Sequence, residues 1–247
     1  MDGWFFWTMA GLAAWLVGLS KGGLPVVGVL GVPVLSLAVS PVVAAGLLLP
    51  VFVISDMFGL YAYRREFDRR VVMIVAAGAT VGVGIGWGTA SVVPERAVTV
   101  LVGLIGLVFA TYLLIRPDLA RVPKRAELVP GLFWSTLAGF TSFVSHAGGP
   151  PYQVFVMPLG LTKAVFAGTT TIAFAYVNAI KLVPYYALGQ LNLTSLSKAA
   201  VLIPVAAVAV FAGFRLVKVL PEALFFKLVA WALLLVSVKL IWDGVAG

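Results

Sequence analysis

Long apolar stretches alternate with short clusters of charge along the chain, and the charges mark where helices end. No charged side chain occurs within residues 3–20, 22–55, 71–94, 97–115, 128–145, 147–162, 164–180, 182–197 or 199–214. A helix that crosses a membrane needs about 20 predominantly apolar residues. The 22–55 run, drawn as one helix, would be roughly 51 Å long at 1.5 Å per residue, against a hydrocarbon core of about 30 Å. It must break, and Ser40–Pro41 is the expected place, because the residue before proline is pushed out of the α region. The pattern predicts helices over 3–20, 41–63, 71–92, 95–115, 128–145, 164–187, 199–217 and 221–242. Segments 22–39 and 147–161 are shorter and rich in glycine and proline. Each is either a broken span or a re-entrant pair of half-helices. The apolar runs are continuous rather than alternating, which argues against a β-barrel.

Composition narrows the class. Hydrophobic residues make up 62% of the 247 positions and charged residues 11%, where soluble domains carry about 25% charge. A water-soluble globular domain and a disordered chain are excluded. With no cysteine and one histidine, disulfides, thiolate chemistry and conventional zinc or haem sites drop out, and no cofactor or metal is expected. The net charge of +8 fits the excess of basic residues in cytoplasmic loops of membrane proteins, not a nucleic-acid surface. Arg64, Arg65, Arg69 and Arg70 fill one loop, and Arg116, Arg121, Lys124 and Arg125 another. Both are expected in the cytoplasm, with the 92–95 turn outside. The start, MDGWFFW, lacks the basic region of a cleaved signal peptide. Trp4 and Trp7 suit the membrane interface.

The two halves echo one another. Ser20-Lys21-Gly22-Gly23-Leu24-Pro25 corresponds to Ser145-His146-Ala147-Gly148-Gly149-Pro150-Pro151, and Pro33 to Pro158. Ala45-Gly46 corresponds to Ala167-Gly168, Asp56 to Asn178, Tyr63 to Tyr185, Phe67-Asp68 to Leu191-Asn192, and Val93-Pro94-Glu95 to Leu220-Pro221-Glu222. An ordered series at an offset of 122–127 residues indicates duplication, with repeats over 1–117 and 128–247 and a cytoplasmic linker at 118–127. Basic charge sits in the 64–70 loop but is absent from its counterpart 189–197, while Arg215 and Lys218 lie near the counterpart of the weakly charged 92–95 turn. That inversion predicts an all-α polytopic protein of two inverted-topology repeats, each of about five helical segments, with both termini outside. Four spans plus a re-entrant segment per half is the alternative.

Transporters built from inverted repeats bind substrate near the midplane, at paired interrupted segments. Glycine lets backbone approach a ligand, and a helix restarting after a break aims N–H groups and a positive dipole end at an anion. The candidate substrate-binding residues are therefore Ser20, Lys21, Gly22, Gly23, Ser145, His146, Gly148, Gly149 and Gln153, with Thr170, Thr171, Asn178 and Lys181 from the following helix. Glycine pairs also serve tight helix packing, and Lys21 at a helix end could snorkel. Thr171, Phe174, Asn178, Lys181 and Tyr185 share one helix face by their 3/4 spacing, as do Leu49, Phe52, Asp56, Gly59 and Tyr63. A buried carboxylate at Asp56 needs a cation or a proton, and Lys181 is its expected partner. His146, with an ordinary pKa of about 6.5, and Asp56 are the proton-coupling candidates. Sequence-adjacent Ser145–His146 and Ser20–Lys21 diverge by about 100° on a helix, which disfavours an enzyme.

The tract GLSKGGLPVVGVLGVPVL with its echo SFVSHAGGPPYQVFVMPL, and AAGLLLPVFVISDMFGLYAYRREFD with AGTTTIAFAYVNAIKLVPYYALGQLN, resemble the TauE/SafE family of membrane permeases over nearly the whole chain. The family's first glycine run is usually richer, and Lys21 is a departure from it. The resemblance implies a secondary transporter of sulfur-containing oxyanions: sulfite, or an organosulfonate such as sulfoacetate. It would act in the bacterial inner membrane, coupled to H+ or Na+. The residues themselves point only to a small anion. The alternative is an anion channel or uniporter. Expected partners are the small anionic substrate, the lipid bilayer and a coupling ion, with no nucleic acid. The oligomeric state is open, a homodimer included.

Overall fold

The computed structural model describes residues 3–115, 124–189, 191 and 193–246. It has ten α-helices and no strand among those residues: α1 (Trp4–Lys21), α2 (Gly31–Leu35), α3 (Pro41–Tyr63), α4 (Arg69–Gly88), α5 (Glu95–Ile115), α6 (Leu128–Ser145), α7 (Gly149–Val156), α8 (Lys163–Ala187), α9 (Leu193–Val219) and α10 (Glu222–Ala246). Short 3-10 turns at Pro25–Leu30 and Met157–Leu159 precede α2 and follow α7. Seven of the helices, α3–α6 and α8–α10, are long and apolar enough to cross a membrane. The protein is a multi-pass membrane protein.

Local chemistry explains the breaks. Ser40 is extended (ψ 151°) and α3 starts at Pro41, as the steric clash before proline dictates. Asp68 caps α4, its Oδ1 accepting from Val71 N at 2.9 Å. Gly23 has φ +115°, and a Cβ there would run into the Tyr63 hydroxyl, so only glycine fits where α1 ends. Three boundaries differ from expectation by four residues or more, among them the end of α10, which runs to Ala246 rather than 242. α4 stops at Gly88, because its last turns hold Gly84, Gly86 and Gly88, and glycine in a helix weakens it. α9 begins six residues earlier than expected and runs through Lys198, whose ammonium lies 5.0 Å from the Phe6 ring centroid. A lysine near a helix end can stay in a helix by resting its stem on apolar neighbours.

The contacts sort the loops onto two faces. Arg70 Nε donates to Ala126 O at 2.9 Å, Lys124 N donates to Pro158 O at 2.9 Å, and Lys163 Nζ donates to Leu220 O. These gather 64–70, 124–127, 158–163 and 218–222 on one face, called face A. The start of α1, the 36–42 turn, residues 88–95, the start of α9 and the end of α10 form face B, as shown by Phe6, Val39 and Ala199 in one cluster and by Gly244 against Arg96. The described parts of the two basic loops thus share a face, as expected. Arg116, Arg121, Asn192, most of the 118–127 linker and the chain ends lie outside the described residues.

The interrupted segments fold back along the preceding helix. Gly31 faces Val17 and Ala13, and Gly131 faces Phe155. Each segment returns to the face from which its helix started: α1 runs from B towards A and 25–39 returns to B, while α6 runs from A towards B and 147–158 returns to A. α7, with eight residues, is about 12 Å long. The packing pairs correspond between halves. α1 lies against α9 and α6 against α4, α3 against both α8 and α9, α8 against α4, and α5 against α10. Helices α3 and α8 are antiparallel, since Asp56 meets Asn178, Gly59 meets Thr171 and Tyr63 meets Gly168.

Candidate functional site

The interrupted ends of α1 and α6 approach the middle of the molecule from opposite faces, with α3 and α8 crossing between them. Lys21, the last residue of α1, is buried and turns its ammonium inward. Its Nζ lies 2.8 Å from Asp56 Oδ1, and Asn178 Nδ2 donates to the other carboxylate oxygen at 2.8 Å. The same ammonium lies 5.2 Å from the Phe52 ring and 6.0 Å from the Phe174 ring. A cation over aromatic faces gains electrostatically once desolvated.

Lys181 differs. It is 1% exposed, and its Nζ donates to Ser142 O and Ser142 Oγ, both at 3.2 Å. Among the described residues no carboxylate lies within ion-pair distance of it. This corrects the expectation that Lys181 would neutralise Asp56: Lys21 does so instead. The reach of Lys21 from the end of α1 brings it to Asp56, whereas Lys181 points from α8 to the end of α6. A buried charge without a counter-ion is costly.

A cavity of about 50 Å³ lies between the two lysines. Ser20, Lys21, His146, Gly149, Thr170, Thr171, Asn178 and Lys181, all expected at the site, line it. Other candidates lie elsewhere. Gly22 packs against Val210 and Gly213 of α9, Gly23 makes the turn, and Gly148 packs against Ala138 and Ser142. Ser145 donates to Thr141 O at 3.2 Å and lines a second cavity of about 160 Å³ towards face B. Gln153 is fully buried, and neither of its amide atoms has a partner in the structure. Asp56 stands behind Lys21 rather than in the cavity wall. Phe52, Phe174 and Ser142 also line the cavity without having been among the candidates. The signal for the two rings was present: they are 122 residues apart, the repeat offset, on the helix faces that carry Asp56 and Asn178.

The other contacts hold the helix ends. Thr171 Oγ1 donates to Lys21 O at 3.3 Å, Tyr63 Oη to Gly22 O at 2.7 Å, and Tyr152 Oη to Thr170 Oγ1 at 3.0 Å. His146 caps α6 in the left-handed region (φ 53°), the only non-glycine with positive φ among the described residues. That conformation costs roughly 1–2 kcal/mol for a residue with a Cβ. Its Nε2 is 2.7 Å from Tyr185 Oη, and its ring stacks on Phe52 at 5.9 Å.

Fold and site together define a polytopic helical membrane protein with a buried cavity lined by two lysines at its centre. Residues 9–240 match the family model described as Sulfite exporter TauE/SafE, and the chain belongs to that family of membrane transporters. No curated protein and no solved structure matches the chain. Membership makes this a membrane transporter of the sulfur-anion exporter type.

Proposed function

We propose that the central cavity binds one small sulfur oxyanion, with sulfite favoured, and that the chain moves it across the bacterial inner membrane by alternating access, without enzymatic chemistry. The observation that carries this is the charge count: Lys21 and Lys181 face one cavity, and Asp56 offsets only Lys21. An oxyanion would supply the missing counter-charge to Lys181 and accept from Ser142, whose hydroxyl accepts from Lys181 and has its own proton to donate. Size supports sulfite. A cavity of about 50 Å³, at about 10–15 Å³ per water-sized group, holds about three to five such groups. That room favours sulfite over sulfoacetate, which has twice the heavy atoms.

The opposed directions of α1 and α6, and of α3 and α8, support two inverted repeats of five passes each. Side chains from both halves stand between the cavity and each face, which supports a carrier over a continuous channel. Coupling to an ion gradient completes the proposal, with His146 as the group that would take a proton.

The direct test is thermal unfolding of the purified protein with sulfite, sulfate, sulfoacetate and chloride. Ligand linkage stabilises by about 2.7 kcal/mol at a hundredfold excess over Kd. Sulfite should give the largest shift; equal shifts from all four anions would remove the specific site. Counterflow of labelled sulfite in liposomes separates carrier from channel, because only a carrier shows it. Topology is tested by single cysteines, since the chain has none. Impermeant labelling of intact cells should reach residue 93 and not residue 68. Labelling of both would sink the assigned orientation.

A further inference from the structure

Tyr63 and Tyr185 are repeat counterparts, 122 residues apart, and they do matching work at opposite ends of the central cavity. Tyr63 ties down the end of α1 by donating to Gly22 O at 2.7 Å. Tyr185 holds the end of α6, with its Oη 2.7 Å from His146 Nε2 and 3.3 Å from Phe143 O. Both rings are buried.

The layers that they belong to differ in thickness. On the A side, Tyr63 packs edge-on to Phe214 at 5.1 Å. Gly23 nests against Tyr63, Val217 and Ala167, and Gly168 lies on Glu66 O. Asp68 N adds a bond to Thr169 Oγ1 at 2.9 Å. Loop 64–68 and the ends of four helices are thus stacked beneath the cavity. On the B side the arrangement is thin. His146 lines both the central cavity and the 160 Å³ cavity whose walls include Ala90, Val93, Glu95 and Leu188. Tyr185 lines the second cavity too. His146 is the one described residue common to both linings, its imidazole held by Tyr185 and stacked on Phe52, and its backbone support is the strained left-handed turn.

We infer that His146 and Tyr185 form the face-B gate of the transport site, that Tyr63 with Gly22 forms the face-A gate, and that the structure is the state poised to open towards face B. This rests on the central cavity being the transported site. Rotation of the imidazole away from Tyr185 joins the two cavities without moving a helix, whereas opening at Tyr63 requires α1, α8, α9 and loop 64–68 to part.

Accessibility measures this without a known substrate. Thr171→Cys reports on the central cavity and Val93→Cys on the outer one, each in the cysteine-free chain, with a small charged thiosulfonate applied from one face of oriented vesicles. Val93→Cys should label fast from face B. Thr171→Cys should label slowly in the parent and about tenfold faster from face B when Tyr185→Phe is added, the size expected for loss of one buried hydrogen bond. Tyr63→Phe should not accelerate labelling from face B. If Tyr185→Phe reduces the monodisperse protein recovered, His146→Asn, which shortens the same barrier, gives the same reading. Unchanged Thr171→Cys labelling with both Tyr185→Phe and His146→Asn, or acceleration from face A instead, overturns the assignment. Adding sulfite separates the two ideas. If Tyr185→Phe still accelerates labelling but sulfite gives no protection, the gate stands and the sulfite reading falls.

Discussion

Asp56 and Asn178 occupy the same position in the two halves, and they touch each other across the centre at 2.8 Å. Around Asp56 the neighbouring ammonium of Lys21 is neutralised. Around Asn178, among the described residues, the neighbouring ammonium of Lys181 has the oxygens of Ser142 and the Tyr185 ring but no carboxylate. A frame that repeats its packing has been made electrically lopsided by one carboxylate facing one amide. The comparison teaches that the structural cation and the ligand-seeking cation can be told apart by what stands opposite them. On the proposed reading, Lys21 belongs chiefly to the first kind and Lys181 to the second.

Making the halves alike on the acidic side should have the largest effect. Asp56→Asn leaves Lys21 buried without its partner, and breaking a buried pair from one side typically costs about 3–5 kcal/mol. The expected outcome is a large fall in thermal stability and in recovered folded protein. A double variant with Lys21→Met should recover much of it, because both charges are then gone. If the double variant is no more stable than Asp56→Asn alone, the pair is not the structural element described here.

Making them alike in the other sense is the next step down. Asn178→Asp sets two carboxylates face to face and gives Lys181 an internal anion. Like-charge juxtaposition is worth several kcal/mol, so sulfite affinity should fall more than about a hundredfold at 1.4 kcal/mol per decade. Calorimetric titration reads this directly, and retained affinity would break the electrostatic comparison.

Lys181→Gln should weaken affinity by roughly tenfold to over a hundredfold, the range for losing one charge-assisted hydrogen bond of about 1.5–3 kcal/mol, while the protein stays folded. Lys21→Gln should lose stability as well, because Asp56 is then orphaned. Equal behaviour of the two variants would erase the distinction between the lysines.

The smallest effect concerns pH. An anion bound beside Lys21, Lys181 and His146 favours a proton on the imidazole, and by reciprocity a proton there favours the anion. Of the carboxylates, Glu95 lines the second cavity together with His146, and Asp56 pairs with Lys21. Affinity should rise as the solution is acidified, and His146→Gln should flatten the profile. A flat wild-type profile would remove proton coupling through His146.

Much of the fold could be read from the chain because its signals are local. Pro41 broke the 22–55 run where expected, and seven of the eight long helices begin within two residues of their forecast starts. The site was legible in its segments but not in its pairings. Asp56 was matched to Lys181 because helical spacing shows which residues share a face. It does not show how far the Lys21 side chain reaches from the last turn of another helix. Ser142 was missed for the same reason, since a serine within an apolar run has no sequence pattern that marks it as a lysine's acceptor. Gly148 looked like a ligand contact and is a packing contact, because both uses demand the same absent Cβ.

The glycine seams bear on how the molecule is made. Gly18 rests against Ala206, and Gly139 against Ala79, so each seam joins a helix of one half to a helix of the other. At about 5–20 residues per second of synthesis, Ala206 is added roughly 10–40 s after Gly18. Until then the small-residue flank of α1 faces lipid or whatever the insertion machinery offers. Asp56 follows Lys21 within 35 residues, so the charge on α1 has its partner long before its packing surface does. Neither half can complete its own interior. A chain severed within 116–127 should regain its core only when both fragments are inserted into the same membrane, and a fragment made alone is a natural target for quality-control proteolysis.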